Sequence, residues 1–122
     1  MRTKTKSTPK LKPLDGVERI AHERDRQTFK LGYDAKHDDE HEEGELAWAA
    51  VCYAAPDRVY AHEDCDSFVR FFDPFPWDAE DDRPRTQYDD LKQPSLKQRI
   101  RLLEKAGALI AAEIDRLLRV KP

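Results

Sequence analysis

The sequence lacks several features on which catalysis depends in many enzymes. It has four glycines among 122 residues and no glycine-rich phosphate loop, so a backbone cradle for phosphate groups is not expected. It also has no GxSxG elbow and no arrangement of Cys and His suited to nucleophilic attack. Its two cysteines, Cys52 and Cys65, do not form a disulfide framework. Covalent catalysis is therefore not expected.

Long apolar runs are absent as well. No stretch approaches the roughly 20 apolar residues that a membrane-spanning helix needs. The N-terminal segment is charged and is followed by no apolar stretch, unlike a secretory signal. We therefore expect a cytoplasmic protein that does not contact a membrane. Charged and hydrophobic residues each make up 39% of the chain, which predicts a thin core that a partner subunit would help to cover.

The net charge of −3 is unevenly distributed. Residues 1–13 carry five basic side chains and no acid, whereas residues 37–45 and 57–90 are strongly acidic. We expect residues 1–13 to be a flexible basic tail, with contact to nucleic acid phosphates as the less favoured alternative. Residues 14–122 are expected to form a single domain.

Two helices are predicted in the first half of the chain. The first starts at Asp15, which is a suitable N-cap, and ends near Leu31. The second starts at about Asp39 or Glu42 and ends at Ala55. Since its body is apolar nearly all round, it is expected to be the central helix.

The third predicted helix, from about Leu96 to Arg119, is the most clearly marked. Ser95 and Gln98 have the spacing of a capping box at its start. Its apolar stripe is longer than the second helix, so part of that stripe needs another cover, and a homodimer would supply it. The stripe consists of Ile100, Leu103, Ala106, Gly107, Ile110, Ile114 and Leu117.

Residues 56–94 show no helical period and are interrupted by several prolines. Within them, residues 59–60 and 68–72 could form short strands, but the segment as a whole is predicted to be an irregular insert. Its aromatic side chains are expected to pack across the helices and to anchor a partner protein. The candidate partner-binding residues are Phe71, Phe72, Phe75 and Trp77.

Together these patterns predict a mainly all-α fold. The second and third helices should pack antiparallel in a small bundle, with the first helix capping them. The insert at residues 56–94, a long loop rich in aromatics and proline, should wrap one side, and dimerisation should complete the bundle.

Two histidines and six acids are crowded into residues 37–55. On one continuous helix, His37, His41 and Glu45 would lie at i, i+4 and i+8 and share a face. Imidazole suits a transition metal, or it can act as a general base near neutral pH. The simpler alternative is that these are exposed histidines in an acidic segment.

A second candidate site consists of carboxylates. Glu42 and Glu45 have the spacing ExxE, and Glu113 lies within the apolar run of the last helix. Carboxylates from two antiparallel helices could together hold Mg²⁺ or Mn²⁺. In that arrangement His37 or His41 would position water, and Lys105 would face phosphate charge. The alternative is that the first-turn acids cap and solvate the helix.

The segments HDDEHEEGELAWAA at residues 37–50 and KAGALIAAEI at residues 105–114 resemble a small family of uncharacterised phage and prophage proteins. The resemblance covers roughly residues 18–118 and implies an accessory protein that acts in a bacterial host cell. A fainter similarity is to the all-α nucleotide pyrophosphohydrolases of the MazG type, which hold Mg²⁺ through ExxE and ExxD motifs. Glu42 and Glu45 match the first motif, but Arg116 stands where the second has its Asp.

Two functions follow from these patterns. One is a divalent-metal-dependent nucleotide pyrophosphohydrolase of phage origin. The other is a non-catalytic phage protein that binds a host factor and inhibits or sequesters it. The first would need the carboxylates and Lys105 to meet a nucleotide, and the second would need the aromatic insert to be accessible to a host protein.

Overall fold

The computed structural model of the chain describes residues 12–77 and 94–121. Its described part is mainly helical, which confirms the coarse fold prediction, but it also contains a two-stranded sheet. Residues 1–11 of the predicted basic tail and the acidic part of the insert after Trp77 lie outside the described residues. The elements are α1 (Gly16–Phe29), α2 (Ala35–Asp39), α3 (Glu45–Ala54), β1 (Ala61–Cys65), β2 (Phe68–Phe72) and α4 (Leu96–Arg119).

Helix α1 starts where the sequence predicts. The Asp15 side chain accepts a hydrogen bond from the backbone N–H of Glu18 at 2.9 Å. The Glu18 carboxylate in turn accepts from the Asp15 N–H at 3.0 Å, which completes a capping box. The helix ends at Phe29, two residues before the predicted end at Leu31.

The second predicted helix corresponds to α3, which begins at Glu45 instead of Asp39 or Glu42 and ends at Ala54. The interpretation of residues 37–45 as one continuous helix is wrong, because a separate helix and a turn precede α3. Helix α2 ends at Asp39, and α3 begins only after Gly44. Gly44 has a φ of 80°, in the left-handed region, so a right-handed helix cannot continue through it. His37 therefore lies in α2, His41 in the turn and Glu45 at the start of α3. They do not share one helical face.

Helices α3 and α4 form the core and run antiparallel, as predicted. The Arg99 side chain near the start of α4 donates hydrogen bonds to the carbonyls of Tyr53, Ala54 and Ala55 at the end of α3. These are backbone acceptors that a helix C-terminus leaves unpaired. The core consists of Leu46, Ala49, Ala50, Cys52, Tyr53, Phe75, Leu102, Ala106, Leu109 and Ala112.

Helix α4 has the predicted bounds and the predicted Ser95–Gln98 capping box. However, the face that it buries against α3 is a different one, centred on Leu102, Ala106 and Leu109. Apart from Ala106 and Gly107, the predicted stripe is exposed in the chain. Its exposed fractions are 38% for Ile100, 43% for Leu103, 49% for Ile110, 52% for Ile114 and 54% for Leu117.

The predicted irregular insert contains a β-hairpin. Strands β1 and β2 pair antiparallel, with Ala61 opposite Phe72 and Cys65 opposite Phe68. Strand β2 coincides with the strand considered at residues 68–72, whereas the one considered at residues 59–60 lies just before β1. No residue of either strand is buried. A polar strand such as β1, which packs against no core, leaves little apolar alternation in the sequence.

Among the helices in the described ranges, none has both the length and the apolar character needed to cross a membrane.

Candidate functional site

A row of ring side chains runs past both predicted catalytic histidines. The rings of Tyr33 and His37 stack with centroids 4.4 Å apart and planes only 6° from parallel. His37 meets His41 edge-on at 4.8 Å, and His41 meets Trp77 edge-on at 6.1 Å. The histidines are thus close together although they lie on different elements. Their rings are half-buried between aromatic neighbours.

The same row continues into the core. Trp77 meets Phe75 edge-on at a centroid distance of 5.3 Å, and Phe75 meets Tyr53 of α3 at 5.8 Å. The Lys105 ammonium lies 5.7 Å from the centroid of the Tyr53 ring, within range of a cation–π contact. The row therefore joins α2 to the hydrophobic core through the segment that follows β2.

Each histidine has a carboxylate partner at its Nδ1 atom. The His37 Nδ1 atom lies 3.0 Å from Asp38, which is fully buried and also accepts a hydrogen bond from Arg24 at 3.2 Å. The His41 Nδ1 atom lies 3.4 Å from the Glu45 carboxylate. Such contacts orient an imidazole ring and leave its Nε2 atom as the free nitrogen. In this structure the two histidine–carboxylate contacts help to hold α2 and the turn after it in place.

Glu45 uses its carboxylate to close the turn between α2 and α3. One carboxylate oxygen accepts a hydrogen bond from the backbone N–H of Glu43 at 2.6 Å. Burial alone would raise the pKa of Glu45, but the hydrogen bonds from its own N–H, from Glu43 and from His41 outweigh that effect. The pKa of Glu45 therefore lies below its usual value, and the group is charged at neutral pH.

The three predicted metal ligands lie in different local settings. Glu42 is exposed, and Glu45 is held within its own turn. Glu113 accepts two hydrogen bonds from the buried Arg116 side chain, at 2.6 and 3.1 Å. Within residues 12–77 and 94–121, no group of three His, Cys, Asp or Glu side chains is arranged to hold a metal ion. The predicted Mg²⁺ or Mn²⁺ site therefore rests on the sequence pattern alone.

Lys105 lies beside a different feature, a small polar cavity of about 20 Å³ between α1, α3 and α4. This is enough space for one water molecule. The buried side-chain oxygen Oε1 of Gln27 has no hydrogen-bond partner among the described atoms, and Gln27 lines the cavity. None of the three predicted metal ligands lines it. Its lining includes Glu23, Gln27, Tyr33, Tyr53, Trp77 and Lys105.

The predicted partner-binding aromatics fall into two groups. Phe71 is 68% exposed on the hairpin, and Phe72 beside it is half-buried. Phe75 is buried in the core, and the half-buried Trp77 packs against it. Phe68 and Val69 are predicted to lie on a possible strand but are not included among the predicted partner-binding residues, and both are exposed beside Phe71. The apolar run at residues 68–72 is the signal that contains them, because both faces of a hairpin that covers no core face solvent.

Comparison of the chain with protein-family models, with curated protein sequences and with solved structures gives no match. Function is therefore inferred from the side chains and surfaces described above. In the described part of the chain, strand β2 and the outer face of α4 both carry several exposed apolar side chains.

Proposed function

We propose that this chain is a non-catalytic, phage-derived protein that acts in the bacterial cytoplasm by binding another protein. The observation that carries the proposal is the β1–β2 hairpin. Exposed aromatic side chains are the usual anchors of protein interfaces, and a two-stranded hairpin with no core of its own is marginally stable in water. A bound partner would cover the hairpin and thereby stabilise it.

Both faces of the hairpin offer contacts. Side chains alternate along a strand, so Val69 and Phe71 point to one face and Phe68 to the other. Phe71 lies 6.3 Å from the ring of His62 on the paired strand. On the opposite face, the Arg70 guanidinium lies 4.9 Å from the centroid of the Phe72 ring. These contacts hold the aromatic side chains in fixed positions, which lowers the entropy cost of binding.

The charge next to these aromatics indicates the kind of partner. Glu63 and Asp64 lie on β1, and Asp66 lies in the turn of the hairpin; all three are exposed. An acidic rim around an apolar centre attracts a partner with a basic rim and speeds their encounter at low salt. We therefore expect a host protein whose binding surface is apolar at its centre and basic around it.

The metal-dependent nucleotide hydrolase remains a prediction from sequence, and the geometry offers it little support. It needs three carboxylates around one cation and Lys105 near the phosphates. Glu113 is instead bonded to Arg116, and Lys105 lies over the ring of Tyr53. The arrangement thus favours the binding function.

Self-association is part of the same proposal. We expect the working form to be a homo-oligomer, because the aliphatic side chains of the α4 stripe are exposed along one face of the helix, and contiguous exposed apolar patches often mark interaction sites. The hairpin would then be presented at least twice, which would strengthen binding to a partner with repeated sites.

Phe71→Ser tests the binding function, with Phe29→Ser as a matched control because Phe29 is also a highly exposed phenylalanine, at the end of α1. A host protein captured by the wild type is first identified, and its affinity for each purified variant is then measured by calorimetry. We expect Phe71→Ser to weaken binding by at least about tenfold and Phe29→Ser to leave it within about twofold. Equal affinities for the two variants would contradict a hairpin anchor.

A further inference from the structure

The outer face of α4 carries an apolar pattern with a regular spacing, which we call the α4 seam. Its positions recur at alternating steps of four and three residues over three heptads, the spacing by which one helix packs along another. All of its aliphatic side chains are exposed in the described chain, and they span about 32 Å at 1.5 Å per residue. The α4 seam consists of Leu96, Ile100, Leu103, Gly107, Ile110, Ile114 and Leu117.

The seam lies beside the surfaces that α4 uses for its own fold, and it meets α1 at Gly107. Helix α3 covers the side of α4 that carries Leu102, Ala106 and Leu109. A Cβ atom added at Gly107 would lie only 2.4 Å from the Ile20 side chain of α1. Ile20 thus fills the one position of the seam that lacks a side chain, and the apolar surface is continuous.

We propose that the α4 seam is the interface between two copies of this chain, with the two α4 helices packed antiparallel. This rests on the self-association included in the proposed function, and it identifies the surface and the orientation. An antiparallel pair places Ile100 opposite Leu117 of the partner subunit. In the same register Leu103 lies opposite Ile114 of the partner subunit, so every large side chain of the central heptads has an aliphatic neighbour.

A second copy fits this seam better than an unrelated helix, because the seam is complementary to itself. Gly107, with the Ile20 side chain packed on it, lies opposite Ile110 of the partner subunit, so this position also brings two aliphatic side chains together. At the flanking positions, Lys97 and Glu104 would lie near Leu118 and Ala111 of the partner subunit, respectively. No like charges are brought together at these positions.

A parallel pair fits less well. It would place Gly107 opposite Gly107 of the partner subunit, so the Ile20 side chains packed on the two glycines would crowd each other at the centre of the interface. It would also place the two helix dipoles parallel, which is less favourable than the opposed dipoles of an antiparallel pair. Contact over about 30 Å of helix buries on the order of 1,000 Å², which is near the lower limit for a specific interface.

Sedimentation equilibrium on the full chain tests whether the α4 seam is the dimer interface. Ile110→Glu is the test variant and Val51→Glu is the control. Val51 is an exposed aliphatic residue on α3, away from the seam. We expect a dimer for the wild type and Val51→Glu, and at least about a tenfold higher dissociation constant for Ile110→Glu, since a buried unpaired charge is costly. Circular dichroism checks that each variant remains folded.

The possible failures are distinguishable. A monomeric wild type would overturn self-association and the seam together, without bearing on the hairpin. A dimer that Ile110→Glu leaves intact would overturn the seam alone. In a Cys65→Ser background, Leu103→Cys combined with Ile114→Cys should form a disulfide between subunits, whereas Leu103→Cys alone should not. Crosslinking by Leu103→Cys alone would overturn the antiparallel orientation.

Discussion

Glu23 is a buried carboxylate that holds α1 against α4. It lies 2.6 Å from an Arg101 guanidinium nitrogen and accepts hydrogen bonds from Arg26 at 2.8 Å and Gln27 at 3.1 Å. Burial raises the pKa of Glu23, but these donors together outweigh it, so the pKa lies below its usual value of 4.5. Since the folded pKa is depressed, the stabilisation is present above the unfolded value and is lost as pH falls through the folded one.

Glu23→Gln should therefore lower the free energy of unfolding at about pH 7 by about 1–3 kcal/mol, because it removes a charged acceptor from three donors. The difference from wild type should shrink as the pH falls below the unfolded Glu value of about 4.3 and should disappear only below the depressed folded pKa, because the unfolded carboxyl takes up its proton first. Urea unfolding at both pH values measures this, with the exposed Glu40→Gln as control. An equal loss at both pH values would contradict a role for the Glu23 charge.

At the scale of single elements, the turn between α2 and α3 depends on one glycine. A Cβ at Gly44 would meet only a Trp48 ring atom, at 3.9 Å, so space is not the constraint there. The constraint is the backbone φ of 80°, which residues with a Cβ atom rarely adopt. Gly44 thereby directs Glu45 back toward His41 and gives the ring row its geometry.

We expect Gly44→Ala to destabilise the fold by about 1–2 kcal/mol. Gly16→Ala is the matched control, since Gly16 lies at the first position of α1 with no atom near its added Cβ and has no left-handed φ. It should be neutral or slightly stabilising, because alanine favours the helix. Thermal unfolding of both variants gives the comparison, and similar effects of the two would argue against backbone strain at residue 44.

The elements differ in how far sequence could predict them. The starts of α1 and α4 were predictable because capping boxes are local, and Asp15 and Ser95 show theirs within three residues. Gly44 is itself a local signal for the break between α2 and α3, but the apolar run that follows it in the sequence obscured that signal. The buried face of α4 was not predictable in this way, since both of its faces are apolar and only the position of α3 selects Leu102 over Leu103.

At the scale of the whole molecule, charged contacts hold the small helix α2 in place from two sides. Arg24 of α1 bonds the buried Asp38, and Arg119 at the end of α4 bonds Asp39 at 2.8 Å. These contacts join elements distant in sequence, so no local pattern could predict that Asp38 and Asp39 serve as partners for arginines. Of the predicted metal ligands, Glu45 closes its own turn and Glu113 is bonded to Arg116, while strand β2 and the α4 seam are exposed in the described chain.

In the proposed function this protein acts through exposed surfaces and not through a metal centre. The most direct test of this proposal is the release of phosphate or pyrophosphate from a panel of nucleoside triphosphates in the presence of Mg²⁺ or Mn²⁺. We predict no release above the protein-free control for wild type or for Glu45→Gln, because Glu45 is committed to its own turn. Metal-dependent hydrolysis by the wild type that Glu45→Gln abolishes, with its helical content unchanged, would contradict the account.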